Sequence, residues 1–126
     1  MRAVDTNVLI RLLTRDDPKQ LAAAEAFVQA GAWVSQLVLL EAVWVLDSVY
    51  EVRAENVAVA VEMLLGHETI AVQDADIVTS ALALHRRRPK LGLADCLILE
   101  TARKAGHLPL GTFDRAFGKV EGAQRL

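Results

Sequence analysis

Apolar residues along this chain recur in two rhythms, brief runs and longer stretches at helical spacing. Ala3-Val4 is a brief run stopped by Asp5, which predicts a short buried strand. Val8-Leu9-Ile10 and Leu12-Leu13 then continue at helical spacing. Asp17 followed by Pro18 marks a helix start, since Pro in the first turn lacks only an N–H that has no partner there. That helix runs through an alanine-rich stretch to Gly31, a residue suited to a left-handed C-terminal cap. Ala32-Trp33-Val34 predicts a second strand, and Ser35 can cap a helix from Gln36 to about Tyr50. An amphipathic helix follows over Ala54 to Leu65, stopped by Gly66, and the β-branched run Thr69-Ile70-Ala71-Val72 predicts a third strand. Asp74 can cap the next helix, which ends in His85-Arg86-Arg87-Arg88 before Pro89. Leu93 to Ala105 is helical by period and closed by Gly106. Leu108 to Phe113 predicts a fourth strand broken at Asp114, and the tail holds a short turn or helix with a final edge strand.

Short apolar strands alternating with helices predict an α/β fold whose parallel sheet of four to five short strands is covered on both faces. At 126 residues, with no repeat, low-complexity tract or linker, the chain reads as a single domain over 1–126. The 53% hydrophobic content supplies a core and excludes intrinsic disorder. Its net charge of −2 argues against a binder that works by charge alone, and six aromatics are too few for a stacking platform. One cysteine, Cys96, rules out an internal disulfide or a multi-cysteine zinc site. No apolar stretch is long enough for a membrane helix, and MRAVDTNVLI does not read as a signal peptide, so a soluble cytoplasmic protein is expected.

Position decides which of the sixteen acids matter. Asp16, Asp17, Asp74 and Asp76 lie at helix starts, where the macrodipole favours negative charge, and Glu25, Glu51, Glu55, Glu62 and Glu68 suit a solvated face. Glu41 differs, because Leu37, Val38, Trp44 and Val45 are its same-face neighbours and the helix is apolar all round. Such a helix is expected to be buried, and a carboxylate inside it must be neutral, paired or bound to a cation. Asp95 repeats the pattern within Leu91 to Leu99, with N-terminal capping as its other reading. Asp5 and Asp114 each follow an apolar strand, where ligands bind in open parallel sheets; a turn residue is the other reading of Asp114. Four such acids in one crevice repel unless cations neutralise them, and hard Mg²⁺ or Mn²⁺ fits oxygen donors. His67, His85 and His107 are scattered near helix ends and read as surface residues, so zinc is not expected.

Val4-Asp5-Thr6-Asn7, Glu41 in its apolar helix, Leu93-Ala94-Asp95-Cys96-Leu97-Ile98 and Thr112-Phe113-Asp114 together resemble the motifs of a PIN domain, closest to VapC-type toxins of toxin–antitoxin modules. The resemblance implies a compact three-layer α/β/α sandwich and a metal-dependent endoribonuclease. It implies that Asp5, Glu41, Asp95 and Asp114 form an acidic quartet holding Mg²⁺ or Mn²⁺. Asn7 and Thr112 match supporting polar positions; a helix cap and an ordinary strand residue are their other readings. It also implies an RNA substrate, a cognate antitoxin and a homodimer.

An acidic protein that holds RNA needs local basic groups. The candidates are Arg11 and Arg15, Arg86, Arg87 and Arg88 with Lys90, and Arg115 beside Asp114; a solvated helix C-terminus also accounts for the arginine run. A receiver-type signalling domain would need an acidic pair after the first strand, yet Thr6 follows Asp5. A phosphatase with an aspartyl nucleophile would need a second Asp where Asn7 stands. The remaining alternative is a PIN-like RNA-binding or scaffold subunit without nuclease activity.

Overall fold

The computed structural model describes residues 1–126, which divide into two compact units, 1–75 and 76–126. In the first, β1 (Arg2–Ala3), β2 (Ala32–Val34) and β3 (Ile70–Val72) form a parallel sheet in the order β1-β2-β3. Arg2 lies opposite Ala32, and Val34 opposite Val72. Parallel neighbours require crossovers, and the chain supplies helices: α1 (Thr6–Thr14) and α2 (Pro18–Gln29) before β2, α3 (Gln36–Ser48) and α4 (Ala54–Leu65) before β3.

Local chemistry sets where these helices start. Side-chain oxygens of Asp5, Asp17 and Ser35 accept from the backbone N–H three residues on, satisfying donors that a helix leaves orphaned. Gly31 ends α2 at φ 101°, a conformation that costs a residue with a Cβ far more. The Gln36 N–H donates to Gln73 Oε1 at 2.9 Å and Gln36 Nε2 to the Gln73 carbonyl at 2.7 Å, tying the start of α3 to the end of β3. Leu9, Ile10, Val34, Leu39 and Val61 are among the most deeply buried side chains.

The second unit contains α5 (Ala75–Arg87) from its second residue on, α6 (Leu93–Ala105), β4 (Leu110–Thr112), a 3-10 turn at Phe117–Lys119 and β5 (Ala123–Arg125). β4 and β5 pair in parallel, Leu110 opposite Ala123 and Thr112 opposite Arg125. Val78, Cys96, Leu99 and Phe117 are buried here.

The fold is α/β with parallel pairing throughout, as expected, but its five strands fall into two sheets rather than one. Asp74 immediately precedes α5, as expected, with a left-handed φ of 49°. Two local expectations are corrected. His85 is 4% exposed, its Nδ1 lying 2.7 Å from the Leu91 carbonyl, so it holds the α5–α6 connection rather than facing water. The second concerns α3. It is not buried all round: Leu37, Glu41 and Trp44 form an exposed stripe, with Leu37 80% and Trp44 60% accessible, while Leu39, Ala42, Val43 and Leu46 fill the core.

Candidate active site

In the first unit, β1 and β2 run parallel, so the helices that follow them begin at the same edge of the sheet. Asp5 is the cap of α1: its Oδ1 accepts the Val8 N–H at 3.2 Å, and its other oxygen accepts no protein hydrogen bond. The side chain is therefore oriented by the backbone yet remains exposed, with one oxygen open for other work. Asn7 does not cap the helix; it lies in the first turn and lines the same groove of about 420 Å³ as Asp5. Glu41 lies six residues beyond the Ser35 cap, about 9 Å along α3. α1 packs against α3, so Asp5 and Glu41 stand on neighbouring elements, and neither is buried.

In the second unit, Asp95 lies in the first turn of α6. The N-cap of that helix is Gly92, so capping does not explain Asp95. The carboxyl is half-buried, and desolvation pushes its pKa up, with the charge of Asp114 adding to the rise. Asp114 lies two residues beyond the end of β4, after Phe113. Its Oδ1 accepts the Phe117 N–H at 2.7 Å, and its own N–H donates to Thr112 Oγ1 at 3.1 Å. Thr112 thus anchors the backbone from which Asp114 projects. Both strand-end acids share one device, in which one oxygen takes a backbone N–H and the other accepts no protein hydrogen bond.

These donors suit a hard divalent cation. All are carboxylate oxygens, and the Asp95–Asp114 repulsion is the kind a cation relieves. No three His, Cys, Asp or Glu side chains cluster in either unit as a ready cage. Mg²⁺ does not need one, because it is commonly held by one or two carboxylates and keeps several waters.

The basic candidates separate. Arg11 is occupied: Nε donates to Gln20 Oε1 at 2.6 Å, and Nη1 to Tyr50 OH at 3.0 Å and Asp16 Oδ1 at 3.2 Å. Arg15 sits at φ 56° after α1 and lines an apolar groove of about 790 Å³ that contains none of the four acids. Arg86, Arg87, Arg88 and Arg115 are exposed. Sequence reasoning passed over Glu100, whose side chain is only 11% exposed and pairs with Arg103 at 3.2 Å. Its one sequence signal was an acid following the apolar run Leu97-Ile98-Leu99.

Comparison with known proteins places the chain in a family. The chain is 27% identical over 125 residues to a VapC ribonuclease of Aquifex aeolicus (strain VF5), an alignment covering 95% of this chain and 92% of that protein. The PIN domain family profile matches residues 2–123, a span that takes in Asp5, Glu41, Asp95 and Asp114 together, and the chain belongs to the PIN domain family.

Proposed function

We propose that this protein is a VapC-type toxin, an endoribonuclease that hydrolyses RNA phosphodiester bonds with Mg²⁺ or Mn²⁺. One observation carries the reading: a single PIN match over residues 2–123 spans all four acids, which supports reading 1–126 as one PIN-like domain. The relative in Aquifex aeolicus, called a VapC ribonuclease, supports the substrate class. Asp5, Glu41, Asp95 and Asp114 are the proposed metal-holding and catalytic residues.

A bound divalent ion would supply an acidified water and relief of charge at the phosphorus. The chain's own residues do the rest. The backbone N–H groups of Val8 and Phe117 fix the rotamers of Asp5 and Asp114, so no ordering of those carboxylates is needed on binding. Thr112 positions Asp114, and Asn7 offers an amide in the groove that Asp5 lines.

A cognate antitoxin would restrain the activity in the cytoplasm. The exposed Leu37 and Trp44 on α3 favour an apolar surface covered by a second copy in a homodimer. No helix is long and apolar enough to cross a membrane.

The test is induced expression with mapping of cut ends across cellular RNA, beside the Asp5→Asn variant. Cuts carrying 5′-phosphate and 3′-hydroxyl ends, lost in Asp5→Asn and on chelation, are expected. Ends with 2′,3′-cyclic phosphate would mean attack by the ribose hydroxyl and would overturn the hydrolytic reading. RNA binding without cutting would leave the chain a PIN-like binding subunit.

A further inference from the structure

Between α5 and α6 of the second unit lies a polar pocket of about 450 Å³ that holds none of the four acids. Arg87 and Arg88 enter it from the last turn of α5 and its exit, Arg103 from α6, with Ser80 and Glu100 on the wall and Glu121 at the exposed rim. Arg103 is already immobilised. Its Nε donates to Glu100 Oε2 at 3.2 Å and its Nη2 to the Glu121 carbonyl at 2.9 Å. Gly122 backs the guanidinium so closely that a Cβ there would lie 3.0 Å from Nη2. Arg87 and Arg88 have no carboxylate partner in the structure.

Resting on the ribonuclease reading, we propose that this pocket seats one phosphodiester of the RNA chain away from the bond being cut, with Arg87, Arg88 and Arg103 as the anion-binding residues. Three guanidinium groups against the carboxylates of Glu100 and Glu121 leave one net positive charge, the complement of a single phosphodiester. Guanidinium matches phosphate through paired N–H donors, and a fork already fixed in place loses little freedom on binding. A solvated helix C-terminus accounts for Arg87 and Arg88 alone. It does not account for Arg103, which comes from another helix into the same cavity. On a chain of net charge −2, a polyanion needs such a local positive foothold.

The experiment uses full-length protein in the Asp5→Asn background, so that binding is measured without cleavage. Anisotropy of a fluorescein-labelled mixed-sequence single-stranded oligoribonucleotide is followed across a series of KCl concentrations. Arg87→Gln with Arg88→Gln should weaken binding roughly three- to tenfold per arginine and flatten the log–log salt slope by about 0.7 per lost contact. Arg103→Lys, which keeps the charge but loses the fork, should weaken binding with a smaller change in slope. Thermal melts identify any variant that fails to fold, and ¹⁵N spectra of the arginine side chains titrated with inorganic phosphate should move at these three residues. Unchanged affinity and slope in folded variants, or no oligoribonucleotide binding at all, would overturn the assignment. Loss of polyglutamate binding with RNA affinity intact would overturn it too, in favour of an acidic protein segment. Absence of RNA cleavage by the unmodified protein would defeat the nuclease reading alone, because the binding curves do not depend on cleavage.

Discussion

Asp5 combines two jobs at one residue, and the substitution chosen decides which is lost. Its Oδ1 caps α1, and Asn caps as well as Asp does. Asp5→Asn should therefore melt within a few tenths of a kcal/mol of the unmodified protein while losing RNA cleavage. Asp5→Ala should lose both, at about 1 kcal/mol of stability. Calorimetry beside a cleavage assay separates them, and equal destabilisation by the two variants would contradict the cap assignment. Cys96 is the opposite case, a residue without outward chemistry. Burial pushes its thiol pKa up to about 11, with Asp95 and Glu100 adding repulsion of the thiolate. Iodoacetamide at pH 8 should leave Cys96 unmodified in the folded protein and alkylate it promptly in guanidinium chloride, as read by mass spectrometry.

Among the elements, α1, α2 and α3 meet around one polar knot. Thr14 Oγ1 donates to Asp16 Oδ1 at 2.7 Å, Arg11 reaches Asp16, Gln20 and Tyr50, and Tyr50 OH donates to Asp16 Oδ2 at 3.4 Å. The Thr14 hydrogen bond is the largest of the influences that hold the Asp16 carboxyl below its ordinary range, and Arg11 and Tyr50 act the same way. A carboxyl whose folded pKa is depressed adds stability above its unfolded value of about 4, and that contribution fades as pH falls through the folded value. Melts of Asp16→Asn should therefore fall below those of the unmodified protein at pH 7 and converge with them as pH drops below the ordinary carboxylate value of about 4. A constant gap across that range would show that the knot acts through packing instead. The same knot explains why Arg11 is a poor choice for an RNA contact: its donors are engaged within the fold.

For the whole molecule, the proposed metal makes a prediction that does not depend on finding the right RNA. An ion that binds only the folded chain stabilises it by mass action, about 2.7 kcal/mol at a hundredfold excess over Kd. Mg²⁺ or Mn²⁺ should raise Tm in the unmodified protein and do so far less in Asp95→Asn, with EDTA reversing the rise. Equal shifts in both proteins would detach Asp95 from the metal. The exposed Leu37 and Trp44 belong to this scale too, because an apolar stripe open on one chain is what a partner would cover.

Local signals in the sequence were enough for the elements. The Asp17-Pro18 start, the Ser35 cap and the Ala54–Leu65 and Leu93–Ala105 helices are where the pattern predicts them, because capping and 3.6-residue periodicity are properties of neighbouring residues. The strand-end positions of Asp5 and Asp114 were legible for the same reason. Composition could not say that α3 leaves Leu37, Glu41 and Trp44 in water, that His85 turns inward to the Leu91 carbonyl, or that Arg103 joins Arg87 and Arg88 at one cavity. Those facts depend on which face of an element meets another, and that is settled by packing among residues far apart in the chain. An apolar helix has more hydrophobic surface than one neighbour can cover, so only the tertiary arrangement determines which part stays exposed.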